Sequence, residues 1–154
     1  MNILKNLIII LSFLISFNVY SNTISGAGKI VYVYDGDTFK IEVPKVKINE
    51  LINRNFVSPE KTENYTFIAR IANINTPEKE TRKGDYIKKL SIKKFNNATV
   101  KFECYEKGYY GRAICSIETF EGDIGEFMIR KGFSDYITKY GKHPTKHNTY
   151  KNIK

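Results

Sequence analysis

Apolar and polar positions alternate along most of the chain in short runs broken by turn residues, and only in a few places does the spacing become helical. Residues 29–43 (KIVYVYDGDTFKIEV) hold two β-rich stretches around an Asp-Gly-Asp turn, which predicts strand, tight turn and strand. A polar, charged excursion follows over residues 44–65, with Pro44 and Pro59 and one short helical turn expected around Glu50, Leu51 and Ile52. Residues 66–74 (TFIARIANI) read as a strand ended by Asn75-Thr76-Pro77, where proline removes a ladder donor.

Between Arg82 and Phe95 the apolar residues Tyr86, Ile87, Leu90 and Ile92 fall among lysines, predicting an amphipathic helix with a basic outer face. Two more strands, at 99–105 and 112–119, flank the turn 106–111, which places Cys104 and Cys115 near facing positions of one hairpin. Asp123 is a good N-cap for a short helix through Phe127 and Met128 that stops at Gly132. After Tyr140 the chain is polar and basic without apolar periodicity, so a loosely ordered tail is expected from about residue 141. No repeat or low-complexity segment is visible. The element order predicts an α+β, mainly β fold: a five-stranded OB-type barrel with two or three appended helices.

The first 21 residues differ from the rest. Lys5 precedes the apolar run 7–17, then come Val19, Tyr20 and Ser21, with permissive residues at −3 and −1 of a cut after Ser21: the parts of a signal peptide. As a helix the run would span roughly 16 Å against a hydrocarbon core of about 30 Å, too short to cross. The alternative is an uncleaved N-terminal anchor, the one case in which a membrane would be involved. Residues 22–154 then form a single domain. Export to periplasm or medium favours pairing of Cys104 with Cys115, the alternative being two buried free thiols.

Among 154 residues, 25 Lys and Arg stand against 16 Asp and Glu, a net charge of +9, of which the cut removes only Lys5. The excess points to an anionic partner. Two cysteines exclude a four-cysteine zinc site or a ferredoxin cluster. Lys83, Lys88, Lys89, Lys93 and Lys94 read as a solvated face that adds non-specific attraction to a polyanion. His143 and His147 have helical spacing, but the intervening Pro144 argues for a solvated tail rather than a metal site.

Three islands carry the candidate chemistry: Asp35-Gly36-Asp37-Thr38, then Arg70 through Asn75-Thr76-Pro77-Glu78, then Tyr109-Tyr110-Gly111-Arg112. Arg70 is expected on one barrel face with Ile68, Ala72 and Ile74, where a charge needs an anion. Together the islands supply oxygen ligands for a hard cation, two guanidiniums and a further carboxylate. Phosphodiester hydrolysis needs such a set. Oxygen-only ligation favours Ca²⁺ or Mg²⁺ over zinc.

With all three islands in order from about Lys29 to Tyr140, the chain resembles the thermonuclease family, the staphylococcal-nuclease-like domains of exported bacterial type. The resemblance implies an OB-type barrel and Ca²⁺-dependent hydrolysis of DNA and RNA with little sequence preference, leaving 3′-phosphates, by a monomer without a stable protein partner. Asp37 falls on the family's metal-binding aspartate and Thr76 on the residue whose carbonyl helps hold calcium. Glu78 matches the carboxylate that contacts the attacking water, and Arg70 and Arg112 match the phosphate-binding arginines. Tyr110 and Tyr140 look like the tyrosines lining the nucleotide pocket, and the cysteine pair recurs in exported members.

The chain also departs from the pattern. Asn75 stands where the family usually has a second metal-binding aspartate, which implies a weaker metal site, with Asp35 as partial compensation. The excursion 44–65 is longer than in the best-known member, and the final helix is missing or reduced. The other reading of the same residues is a catalytically silent OB-type module that binds nucleic acid.

Overall fold

A computed structural model describes residues 22–153; the signal segment expected over 1–21 lies outside the described residues. Six strands form one sheet: β1 (Ile24–Val33), β2 (Thr38–Glu42), β3 (Thr66–Ile71), β4 (Thr99–Lys107), β5 (Ala113–Thr119) and the two-residue β6 (Gly122–Asp123). Their order is β3-β2-β1-β4-β5-β6, and a further parallel pairing of β3 with β5 closes the first five strands into a barrel. Closure removes the two open edges that such a sheet would otherwise leave unpaired.

Alternation along the strands places the core. In β3, Phe67, Ala69 and Ile71 point inward and are fully buried, while Ile68 and Arg70 lie on the opposite, half-buried face. The strand ends at Ile71, three residues earlier than its apolar content predicts. Ala72 still donates to the Cys115 carbonyl, but Asn73 adopts φ 59° and turns the chain away. Ala72 and Ile74 are therefore core residues of the turn, not face-mates of Arg70.

Four α-helices occur among the described residues: α1 (Lys45–Asn53), α2 (Arg82–Phe95), α3 (Ile124–Arg130) and α4 (His147–Lys151). The excursion holds a nine-residue helix rather than a single turn. α1 buries Ile48 and Leu51, and its surface is tied by Glu50, which pairs with Lys47 and Arg54. The returning chain buries Phe56 and Val57.

In α2, which begins and ends where the pattern predicts, Thr81 caps the first turn by accepting from Gly84 N at 2.9 Å. Its buried stripe is Gly84, Ile87, Ser91 and Phe95; Tyr86 and Ile92 flank that stripe and are largely exposed. α3 carries the expected cap, Asp123 accepting from Glu126 N at 2.8 Å, and Gly132 ends that region at φ 64°.

The expected loose tail is instead folded onto the barrel. His143 and Tyr150 are each 1% exposed, and Tyr150 Oη donates to Asp123 Oδ1 at 2.6 Å. His143 Nδ1 accepts from the amides of Thr145 and Lys146, so its proton sits on Nε2, facing Ser116 Oγ at 3.0 Å. The tail lacks apolar periodicity because its buried groups are polar-tipped aromatics satisfied one by one, a mode of packing that hydropathy does not register. Cys104 and Cys115 form a disulfide between paired positions of β4 and β5.

Candidate functional site

Strand pairing brings the first two islands together. Thr38 lies opposite Arg70 in the β2–β3 ladder, and Ile71 N donates to the Asp37 carbonyl at 2.9 Å, so the Asp-Gly-Asp turn sits beside the end of β3. Asp35 Oδ1 accepts from Asp37 N at 3.0 Å, shaping that turn. Gly36 allows close approach at its apex: a Cβ there would lie 2.8 Å from Thr76 Cγ2 and 2.6 Å from Ile87 Cγ2.

Asp37 is 4% exposed, and each of its carboxylate oxygens accepts a hydrogen bond. Oδ1 accepts from Thr38 Oγ1 at 2.9 Å, and Oδ2 accepts from Thr76 N at 3.0 Å across 39 residues of sequence. Arg70 Nη2 stands 3.4 Å from the same Oδ2. The Arg70 guanidinium also donates to the carbonyls of Ile71 (3.2 Å) and Ile74 (3.0 Å) and, through Nη2, to Asn75 Oδ1 at 2.8 Å. This one side chain fastens the loop after β3 to the turn before β2. Burial, and then the charge of Asp37, push the Asp35 carboxyl above its usual range.

Closure of the barrel brings in the third island. Parallel pairing sets Ala69 against Ala113 and Arg70 against Ile114. Arg112, two residues before Ile114, therefore shares a sheet face with Arg70. Its guanidinium lies 5.5 Å from the Tyr110 ring centre and 3.4 Å from the Tyr109 carbonyl, with no carboxylate partner among the described residues. Tyr110 is 80% exposed.

Glu78 is exposed, two residues beyond Thr76, and its carboxylate makes no hydrogen bond or ion pair among the described residues. Its carbonyl accepts from Thr81 N and Oγ1, and a Cβ on Gly84 would come within 1.8 Å of that oxygen. The loop carrying Glu78 is thus pressed onto the first turn of α2, where only glycine fits.

Two supporting residues escaped sequence reasoning. Asn73 Nδ2 donates to the carbonyls of Ile137 (2.7 Å) and Gly141 (2.9 Å), and its own carbonyl accepts from Ile137 N. This clamps the loop bearing Tyr140, itself 85% exposed, to the Asn75-Thr76 turn. Ser134 Oγ accepts from Asn75 N at 2.8 Å. An asparagine inside the apolar run 66–74 is the available signal, since it tolerates positive φ; its partners lie more than sixty residues away.

The donor set suits a hard cation by its chemistry. Asp35 and Asp37 supply carboxylate oxygens, Asn75 an amide oxygen, and the buried Thr76 hydroxyl has no hydrogen-bond partner among the described residues. Among the described residues no group of three or more His, Cys, Asp and Glu side chains forms a metal-binding cluster.

A sequence model of the family described as staphylococcal nuclease homologue matches residues 69–154, more than half of the chain, and the chain belongs to that family. The matched stretch includes Arg70, Asn75, Thr76, Glu78, Tyr110, Arg112 and Tyr140, and lies wholly after Asp35 and Asp37. Comparison with curated proteins gives no match.

Proposed function

We propose that this chain is an exported, calcium-dependent nuclease that hydrolyses DNA and RNA phosphodiesters with little sequence preference and leaves 3′-phosphate ends. Family membership supports a nuclease-type module in general. The observation that carries the finer reading is the meeting at Asp37 Oδ2 of the Thr76 amide and the Arg70 guanidinium, which joins two of the three islands at one buried carboxylate.

In this reading Asp37, Asn75 and the Thr76 carbonyl would hold calcium, with Asp35 adding negative charge beside them. Bound calcium supplies positive charge that offsets the phosphate oxygens as negative charge builds there. Arg70 and Arg112, on one face of the closed barrel, bind the phosphate through planar guanidinium forks. The Glu78 carboxylate, without a partner among the described residues, orients or deprotonates the attacking water. Tyr110 and Tyr140 present exposed rings to the nucleotide. Residues 1–21 direct export and are removed, and residues 22–154 act as a monomeric domain.

The test is a calcium-titrated cleavage assay on single-stranded DNA and RNA. Wild type is expected to degrade both, and Glu78→Gln to lose about 10²-fold or more in rate. Intact substrates with calcium in excess, and an equally inert Asn75→Asp variant, would overturn the reading. Mass determination of the exported form checks the cut after Ser21.

One observation favours the silent-module reading: Asn75 Oδ1 is already occupied by Arg70. Affinity for nucleic acid without turnover, unchanged by Glu78→Gln, is the result that would establish it.

A further inference from the structure

The excursion between Pro44 and Tyr65 takes no part in the site above, yet it is tied to the hairpin that carries Arg112. Lys107 donates to Asn55 Oδ1, and Ser58 N donates to the Gly111 carbonyl at 3.2 Å. Tyr110 and Gly111 are consecutive left-handed residues, at φ 61° and 70°. A Cβ on Gly111 would lie 2.5 Å from Ser58 Oγ and 3.2 Å from Lys61 Cγ, so this turn rests directly on the 3₁₀ turn Pro59–Lys61. A tyrosine held at positive φ is unfavourable alone and persists where surrounding contacts dictate it.

The seating places Lys61 next to the Tyr109–Gly111 turn. Lys61 is exposed and forms no ion pair among the described residues, with neighbouring Glu60 or any other carboxylate. Arg112 likewise has no carboxylate partner there, and Tyr109 is 86% exposed. Two cations without carboxylate partners among the described residues and two exposed rings, Tyr109 and Tyr110, thus share one stretch of surface. A polyanion with stackable bases satisfies both features, whereas an anionic headgroup uses only the charges.

Resting on the nuclease reading, we propose that Lys61 and Tyr109 form a subsite for single-stranded nucleic acid running on from the phosphate held at Arg112. The Tyr109 ring stacks on an unpaired base, and the Lys61 ammonium meets a backbone phosphate. The excursion acts as the bracket that sets both in place. A duplex keeps its bases stacked inside, so the subsite selects single strands.

The experiment is fluorescence anisotropy with a labelled ten-nucleotide oligo-dT, in chelator to prevent cleavage, over a range of salt. Its arms are a dT dinucleotide, a ten-base-pair duplex and phosphatidylglycerol vesicles. Tyr109→Ala should weaken oligo-dT binding roughly tenfold, and Tyr109→Phe should restore it. Lys61→Gln should reduce the slope of log affinity against log salt by about 0.7, the value for one lost single-strand phosphate contact, and Lys61→Arg should restore it. The dinucleotide, which ends before the subsite, should be affected far less.

Equal losses on dinucleotide and oligo-dT, equal losses on duplex, or losses confined to the vesicles would overturn the subsite. So would Lys61→Gln and Tyr109→Ala variants that bind oligo-dT as wild type does, and in that case calcium-dependent cleavage by wild type leaves the nuclease reading standing. A wild type that neither binds oligo-dT nor cleaves it with calcium present overturns the nuclease reading itself, and the subsite with it.

Discussion

Arg70 Nη2 donates to Asn75 Oδ1 at 2.8 Å while standing 3.4 Å from Asp37 Oδ2. One guanidinium edge therefore joins the buried carboxylate to the amide at position 75, where the family resemblance leads one to expect a second carboxylate. The pairing explains how the chain tolerates an uncharged residue there. Asn75 is held by Arg70 through its side chain and by Ser134 through its amide, so the loop keeps its shape without an extra ion pair.

Replacing Asn75 by Asp adds a unit charge to the donor set without changing its size. At an effective dielectric of 20, unit charges 4 Å apart interact by about 4 kcal/mol, and part of this would be spent on the Arg70 ion pair. Calcium affinity should rise roughly tenfold or more, read as a lower calcium midpoint in the cleavage assay and by calorimetry.

Arg70→Gln leaves Asp37 buried without its cation and frees the carbonyls of Ile71 and Ile74. Stability should fall by about 3 kcal/mol, measured by denaturant unfolding. Arg70→Lys should recover part of that loss and little of the activity, because an ammonium cannot span the acceptors that the planar guanidinium reaches together.

Burial, and then the charge of Lys146, hold the His143 imidazole down at about 4, below its ordinary value of 6.5. The ring lies against Tyr105 and Tyr150, and its Nδ1 accepts two amides, leaving no site for a second proton. The unfolded chain binds that proton from about pH 6.5 downward while the native state refuses it until about pH 4. The contribution is whole above pH 6.5 and is lost across that window as pH falls, by up to about 3 kcal/mol. Unfolding free energy measured from pH 7 to 4 should show this loss in wild type and a flatter curve in His143→Gln.

Tyr150 fills the space beneath α3, where a Cβ on Gly125 would lie 2.1 Å from its hydroxyl. Tyr150→Ala should cost about 3–5 kcal/mol through the cavity left behind, seen as a lower thermal midpoint. Tyr150→Phe, which keeps the ring and loses the bond to Asp123, should cost about 1–2 kcal/mol. A tail that contributed nothing to the fold would show neither loss.

Most strands and the two better-marked helices were readable because each is a local matter. Thr81 and Asp123 each cap an amide three residues away, and the alternation in β3 is carried by six consecutive residues. The errors fall where local signals are weak or compete. α1 exceeds the single expected turn because only Ile48 and Leu51, with Asn49 and Glu50 between them, mark its buried side, and β3 is shorter than expected because Ala72 and Ile74 are apolar yet belong to a turn set by Asn73.

The candidate site divides along the same line. Residue types and their order make Asp37, Arg70, Glu78 and Arg112 visible as a set, because phosphate chemistry calls for carboxylates and guanidiniums whatever the surrounding fold. Their relation in space comes from barrel closure. Parallel pairing of β3 with β5 puts Arg70 and Arg112 on one face, and the bond from Thr76 N to Asp37 Oδ2 spans 39 residues. Tertiary contact alone decided that Asn73 clamps the Tyr140 loop, that His143 and Tyr150 are core, and that the excursion bears on Gly111. Such contacts satisfy single polar atoms between distant segments, and a polar atom's partner, unlike its need for one, is not written in its own neighbourhood.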